Sequence, residues 1–568
     1  MERDHNPVGR ALRIVDDVWS ELRKKTQWSA ALKEIPVIPR VSYDSVVQRA
    51  NRAAVLAADI DALDSSGLPA DLRLTVQVAQ WHARRWVREP DWYWTAFDPT
   101  GKWFGLFGAT AYCGGYFLNG VLASLQRLTF DEAADLDRCL ALVADYSRLV
   151  RELKTRTAEQ AARGIYMPAV QLQQAIPLLE GLRARSIAQL SLFATNAQHI
   201  ATPAFGRELE LRLHRDVTGA FDEFIALLDP SYASHAPQTV GIAQYPGGAE
   251  MYAELIRLSA TVDLSPRDVH NLGLERMARI REQLARTVSE ANFSGDAKAY
   301  HARANADPQW RAETVEGVIA MFERYIKRIE PEIPQYFSTV PTAPCGAAPL
   351  PEALASSMTF GYYEAPTPER ARGTYLFNAR NLTQRCLIDV GPLTYHELVP
   401  GHHLHMAGEL ENRSLHPLRV HSFFNAFNEG WAEYASTLAG EMGMYETADE
   451  RFARLVLDAF LSSRLVVDTG MNALGWSLSQ AREYMSENTF HSQSEIETET
   501  IRYSCDIPAQ SLAYKIGEPI LMRLREKMHK AMGMAFDIKA FHDAVLAPGS
   551  LPYTMVEAEV DRAITDLL

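Results

Sequence analysis

Cysteine is scarce in this chain, five residues among 568, and no two of them are spaced as a CxxC pair. That excludes a disulfide framework and a cysteine zinc knuckle, and it suits a reducing cytoplasm. Basic charge is in deficit: 57 Lys and Arg stand against 71 Asp and Glu, a formal net charge of −14. Nucleic acids and anionic membranes both want a basic surface, so the acidic surplus argues against either as a broad partner. No apolar run reaches the roughly 18 residues of a membrane span. Residues 1–7 lack a basic segment followed by an apolar one, so no secretory signal is visible. The expectation is a cytoplasmic protein with no nucleic-acid and no membrane partner, its oligomeric state left open.

Strand-like alternation is scarce too. Gly373-Thr374-Tyr375-Leu376-Phe377-Asn378 is the best candidate. Helical periodicity dominates instead: Leu136, Leu140, Val143 and Leu149 mark one face across 131–155. Ser265-Pro266-Arg267-Asp268 supplies an N-cap, a first-turn proline and a capping carboxylate for a helix presenting Val269, Leu272, Met277, Ile280 and Leu284. Residues 516–532 carry Ile520, Leu521, Leu524 and Met528. The fold class expected is mainly α, with at most a small β-sheet. Two stretches rich in Pro, Gly, Ser and Ala, 229–248 and 341–351, read as connections. The first divides an N-terminal helical region, 1–240, from a catalytic region, 241–568, or else forms an active-site loop; the two regions are expected to make one continuous structural unit. Seven of the ten tryptophans precede residue 104, and a tryptophan-dense core is the simplest account of them.

What the chain does have is Tyr395-His396-Glu397-Leu398-Val399-Pro400-Gly401-His402-His403-Leu404-His405. Without Pro400-Gly401 it contains His396-Glu397-Leu398-Val399-His402, the zinc-hydrolase pattern His-Glu-x-x-His, in which two imidazoles on one helix face bind the metal and the glutamate polarises a water. Helix geometry decides which histidine pairs with His396. Six residues at 100° each leave His402 about 240° away on a straight helix, whereas His403, seven residues on, falls about 20° short of a full turn. Pro400, however, has no N–H and clashes with the carbonyl of His396, and Gly401 can absorb the distortion. A break there favours His402, with His403 the partner a continuous helix would select.

Catalytic zinc usually takes three protein ligands. Glu429, in Asn428-Glu429-Gly430-Trp431-Ala432-Glu433, is the third candidate, and Glu433, on the same helix face, is placed to orient an imidazole. Glu397 is the candidate general base. Tyr503, Tyr514 and Arg502 are candidates for holding an oxyanion. His403, His405, Tyr375, Asn378 and Arg523 are assigned to the surroundings of the metal or to substrate contacts.

These blocks, with Pro508-Ala509-Gln510-Ser511-Leu512-Ala513-Tyr514-Lys515-Ile516-Gly517, Pro246-Gly247-Gly248 and Tyr375-Leu376-Phe377-Asn378, resemble the bacterial family catalogued as domain of unknown function 885. The likeness covers about 245–530. It implies kinship with zinc metallopeptidases that use a glutamate as third ligand, a large helical body with a deep cleft, and hydrolysis of a peptide or amide bond with His396, His402 and Glu429 as ligands. His405 and Glu433 stand where the family pattern has Gln and Leu, which bears on the substrate more than on the metal. The expected function is a Zn2+-dependent hydrolase of a small peptide or amide substrate. The alternatives are an amide-forming or tailoring enzyme using the same site, and a non-catalytic helical binding protein with a vestigial one.

Overall fold

A computed structural model describes residues 6–26, 38–350, 361–367 and 370–568. Residues 1–5 of the N-terminal stretch, Trp28 and Pro351 lie outside them. Helix dominates, as expected, and the chain divides into two compact units. None of the described helices is long and apolar enough to cross a membrane.

The first unit comprises the residues up to Tyr252 together with Ser504–Pro508, so its boundary falls beyond the expected division at 240. Long helices build it: α1 (Ala70–Trp92), α2 (Ala133–Ala161) and α3 (Ala169–Asn196). Leu136, Val143 and Leu149 point inward from α2 as their spacing demands. Trp86 and Trp92 are buried in the core. The Ser504–Pro508 segment is tied in by Asp506, whose carboxylate accepts from Thr110 Oγ1 at 2.6 Å and from the Tyr112 N–H at 2.7 Å.

The second unit, Ala253–Tyr503 with Ala509–Leu568, contains every candidate site residue. Its axis is α4 (Pro266–Glu290) packed on a later, almost wholly buried helix. The Ser265 capping box forms as the sequence required, with Ser265 and Asp268 bonded reciprocally. Next comes α5 (Val315–Ile329), then a three-stranded sheet of β1 (Cys345–Pro349), β2 (Gly361–Glu364) and β3 (Gly373–Phe377). β3 is central, parallel to β1 and antiparallel to β2. β1 lies inside a stretch expected to be a connection. An edge strand tolerates its Pro349, because the outer side of such a strand needs no donor.

From α5, Phe322 packs on Tyr375 and Phe377 of β3, and Tyr325 meets Tyr395 edge-on. Tyr395 sits on α6 (Val390–Glu397), which is followed by α7 (His402–Glu411), α8 (Asn425–Glu441), α9 (Ala448–Ala473, the buried partner of α4), α10 (Gln493–Ile501) and α11 (Ala513–Met532). α8 and α11 cross at two glycines: a Cβ on Gly430 would come within 2.6 Å of the Gly517 Cα. Small residues there bring Glu429 and Glu433 of α8 against Tyr514 and Lys515 of α11. Each large aliphatic or aromatic side chain fully buried in such packing contributes about 1.5–3 kcal/mol.

Candidate metal centre

The Pro-Gly interruption breaks the helix outright. α6 ends at Glu397, Leu398 and Gly401 leave helical geometry, and α7 begins at His402. Gly401 lies so close to the end of α6 that a Cβ would stand 1.8 Å from the His396 carbonyl oxygen and 2.6 Å from that of Tyr395. Only glycine fits. Trp431 Nε1 donates to the Pro400 carbonyl at 3.1 Å and fastens the break to α8. With the chain turned back, the rings of His396 and His402 stand 4.9 Å apart, nearly perpendicular.

Ligand atoms of His396, His402 and Glu429 all lie within 4.8 Å of one another. Glu429 Oε2 is 3.6 Å from His396 Nε2 and 3.3 Å from His402 Nε2. It is buried, yet these contacts are too long or too bent to be hydrogen bonds, and it has no other partner among the described residues. Two imidazole nitrogens and a carboxylate oxygen thus converge without bonding one another. That donor set fits a zinc ion, which takes imidazole and carboxylate ligands. The charges agree. Burial alone would raise the Glu429 carboxyl, but the two imidazoles hold it well below its ordinary range. Burial likewise opposes a charged His396, and Glu429 and Glu433 overcome it, lifting the imidazole to about 10.

Glu433 holds His396 from behind, with Oε1 2.8 Å from Nδ1. Its other oxygen accepts from Arg454 at 3.1 Å and from the fully buried Lys515. Lys515 also reaches Asp458 at 2.8 Å and Glu518 at 3.0 Å, and Arg276 joins the same two carboxylates at 3.1 and 2.7 Å. Three acids face three bases. Glu433, Asp458 and Glu518 also cluster closely enough to suggest a second cation site, but the protein's own ammonium and guanidinium groups fill it. The network fixes the outer nitrogen of His396, so that Nε2 faces Glu429.

Glu397 is buried beside this centre without belonging to its ligand set, and its carboxylate makes no hydrogen bond or ion pair with a described residue. Burial raises its affinity for a proton, against the pull of both imidazoles. Tyr514 stacks on His396, centroids 5.9 Å apart and planes 13° from parallel, with the Arg464 guanidinium 4.9 Å from its own ring. Its hydroxyl has no hydrogen-bond partner among the described residues, and burial followed by the Glu429 charge keeps it protonated.

Other expected residues are committed elsewhere. Tyr503 accepts from Arg464 Nε at 2.7 Å and donates to Glu499, so its hydroxyl serves a buried structural cluster. Arg502 donates to Gln510 at 2.6 Å and pairs with Glu499 at 3.5 Å. His403 spends both nitrogens, on the Ala343 carbonyl at 2.9 Å and the Tyr363 hydroxyl at 2.8 Å, which leaves His402 alone to face His396. His405 is buried against Phe427 with Nε2 3.1 Å from Ser550 Oγ, and burial pushes its pKa down to about 3. Tyr375 is buried within electrostatic reach of Glu397. Asn378, just past β3, caps the Arg380 N–H at 3.0 Å. Arg523 is 57% exposed and paired with Glu557 at 3.4 Å, too solvated for a role in a buried centre.

Three contributors escape a reading of the sequence. Tyr363 of β2 stacks over His402 at 6.3 Å, Arg464 of α9 backs Tyr514, and Lys515 anchors Glu433. Only Lys515 left a trace, as a lone cation among small and apolar residues.

The profile of a family described as "Bacterial protein of unknown function (DUF885)" matches residues 36–560. No curated protein matches the chain. Among solved structures, a candidate lipoprotein from Colwellia psychrerythraea superposes with a TM-score of 0.87 at 23% identity, over 99% of this chain and 100% of that one. A candidate lipoprotein of unknown function from Shewanella oneidensis does so with a TM-score of 0.75 at 15% identity, over 97% and 99%. At these identities the likeness is one of fold.

Proposed function

The chain belongs to the bacterial DUF885 family, and from that premise we propose that it is a zinc-dependent hydrolase of peptide or amide bonds in small substrates. The carrying observation is the convergence of His396, His402 and Glu429 with an unpaired, buried Glu397 beside them. His396, His402 and Glu429 would hold the zinc, which when bound supplies Lewis-acid polarisation of the carbonyl and of water.

The remaining chemistry belongs to side chains. Glu397 accepts a proton as water adds to the carbonyl carbon and delivers it to the amine as the C–N bond breaks, leaving a carboxylate and a free amine. Its burial raises the carboxyl above its ordinary value, the direction a general base needs. The unengaged Tyr514 hydroxyl donates to the oxygen that gains charge. Glu433 keeps the His396 ring from rotating. The compartment proposed is the cytoplasm, consistent with five unpaired cysteines; fractionation of the native host with a cytoplasmic marker tests that assignment.

The functional test combines metal analysis of the purified protein with a screen of dipeptides, N-acyl amino acids and longer peptides. Stoichiometric zinc is expected, together with hydrolysis that disappears in Glu397→Gln while zinc is retained. His396→Ala should lose both. A wild-type protein that binds no zinc, or full turnover by Glu397→Gln, sinks the assignment.

A further inference from the structure

A cavity of about 350 Å³ lies at the opposite end of α6 from Glu397. Apolar side chains, Phe322, Leu393, Val456 and Phe490 among them, share its walls with polar and charged groups. Asp389, the residue before α6, opens into it and does not cap the helix. Apart from its own backbone N–H, the Asp389 carboxylate has no hydrogen-bond or ion-pair partner among the described residues.

The charges around the cavity do not cancel. Arg385 pairs with Glu495 at 3.9 Å, and both line the wall. The lining histidines, His301 and His491, are kept neutral by burial. Arg385 acts on Asp389 as well as on Glu495, so one cation serves two carboxylates and the wall keeps one net negative charge, which a cation on an aliphatic stem would complement.

One side chain relates the cavity to the candidate centre. Tyr375 lines it and lies within electrostatic reach of both Glu397 and Asp389. Asp389 and Glu397 are eight helical steps apart, about 12 Å along the axis. An extended chain covers that in roughly three to four residues, and one residue with a long basic side chain covers much of it.

We propose that this cavity is the substrate's specificity pocket and that Asp389 there receives an ammonium group, carried either by a basic side chain or by the amino terminus of a short peptide. The assignment rests on the hydrolase reading for the word substrate, but its test does not. Binding is measured by calorimetry to the full chain stripped of metal with a chelator. The probes are N-acetyl-lysine amide, triglycine amide and the neutral N-acetyl-norleucine amide. At least one cationic probe should bind tenfold or more tightly than the norleucine compound. Preference for the lysine probe assigns a side chain, and preference for triglycine amide assigns the amino terminus. Asp389→Asn should erase the discrimination and Glu397→Gln should keep it. Equal binding of charged and neutral probes, discrimination that survives in Asp389→Asn, or no binding of any probe overturns the proposal. Discrimination by the wild-type chain is read without any variant or turnover, so the three probes decide the matter even if Asp389→Asn misfolds or hydrolase activity is absent.

Discussion

Replacing Glu433 with Gln changes one atom type and should separate two roles of the same side chain. Glu433, Asp458 and Glu518 balance Lys515, Arg454 and Arg276, so the variant leaves one net positive charge in a buried cluster. Breaking a buried pair by removing one partner costs about 3–5 kcal/mol. The lower end applies, because Lys515 keeps Asp458 at 2.8 Å and Glu518 at 3.0 Å, and Arg454 keeps Thr437 at 3.0 Å. Gln can still accept from His396 Nδ1 but no longer as an anion, so zinc affinity should fall by about tenfold, the mild end of the roughly 10–100-fold range for such supporting groups. Denaturant unfolding of the metal-free protein reads the first effect, and zinc titration against a chromogenic chelator reads the second. Adding Lys515→Met removes the excess charge. The double variant should regain at least half of the lost stability while its zinc affinity stays low. Stability unchanged in Glu433→Gln would refute the charge count, and zinc affinity restored along with stability would refute the orienting role.

Gly401→Ala forces a Cβ onto two backbone carbonyls that cannot yield; it should destabilise the protein by about 1–3 kcal/mol and weaken zinc binding, as melting and chelator competition will show. Tyr514→Phe should lower kcat by about 10²–10³-fold with zinc content unchanged, whereas Tyr503→Phe, which cuts a structural bond to Glu499, should cost stability more than turnover; equal losses of kcat would remove Tyr514 from the chemistry. Glu409 is buried beside Ser550, and burial raises its carboxyl to about 8 against the pull of the Ser550 hydrogen bonds. The folded state therefore holds the proton more tightly than the unfolded one, and this contribution is full below about 4.5 and lost as pH climbs through about 8. Melting curves of wild type and Glu409→Gln should diverge across that window, the wild type losing ground as pH rises; parallel curves would contradict it.

How much of this was legible in the sequence depends on the range of the interaction. The mainly helical class, the Ser265 cap and the β3 strand follow from local pattern, and they formed. Pro400-Gly401 was informative because its effect is also local: a proline that cannot continue a helix and a glycine that can turn sharply decide the fate of the next two residues. Glu429 and Glu433 share a face by simple helix arithmetic. Tyr363, Arg464 and Lys515 reach the centre through tertiary packing, and nothing in their neighbourhoods signals which surface they will meet. Arg523 shows the converse error. It lies close in sequence to Tyr514 and Lys515, but it projects from the outward side of α11. Tyr503 and Tyr514, both candidates for holding an oxyanion, are separated by Ser504–Pro508, which belongs with the other unit.

The broken helix also changes what variation can do. On an unbroken helix both imidazoles and the glutamate ride on one rigid rod, so any tilt that re-aims one re-aims all three. Here His396 and Glu397 travel with α6 and His402 with α7, joined by a tether that Trp431 pins. Substitutions beneath α7 can move His402 while Glu397 stays where it is. On the proposed function, metal affinity and proton transfer are separately adjustable quantities, and a lineage can retune one without surrendering the other.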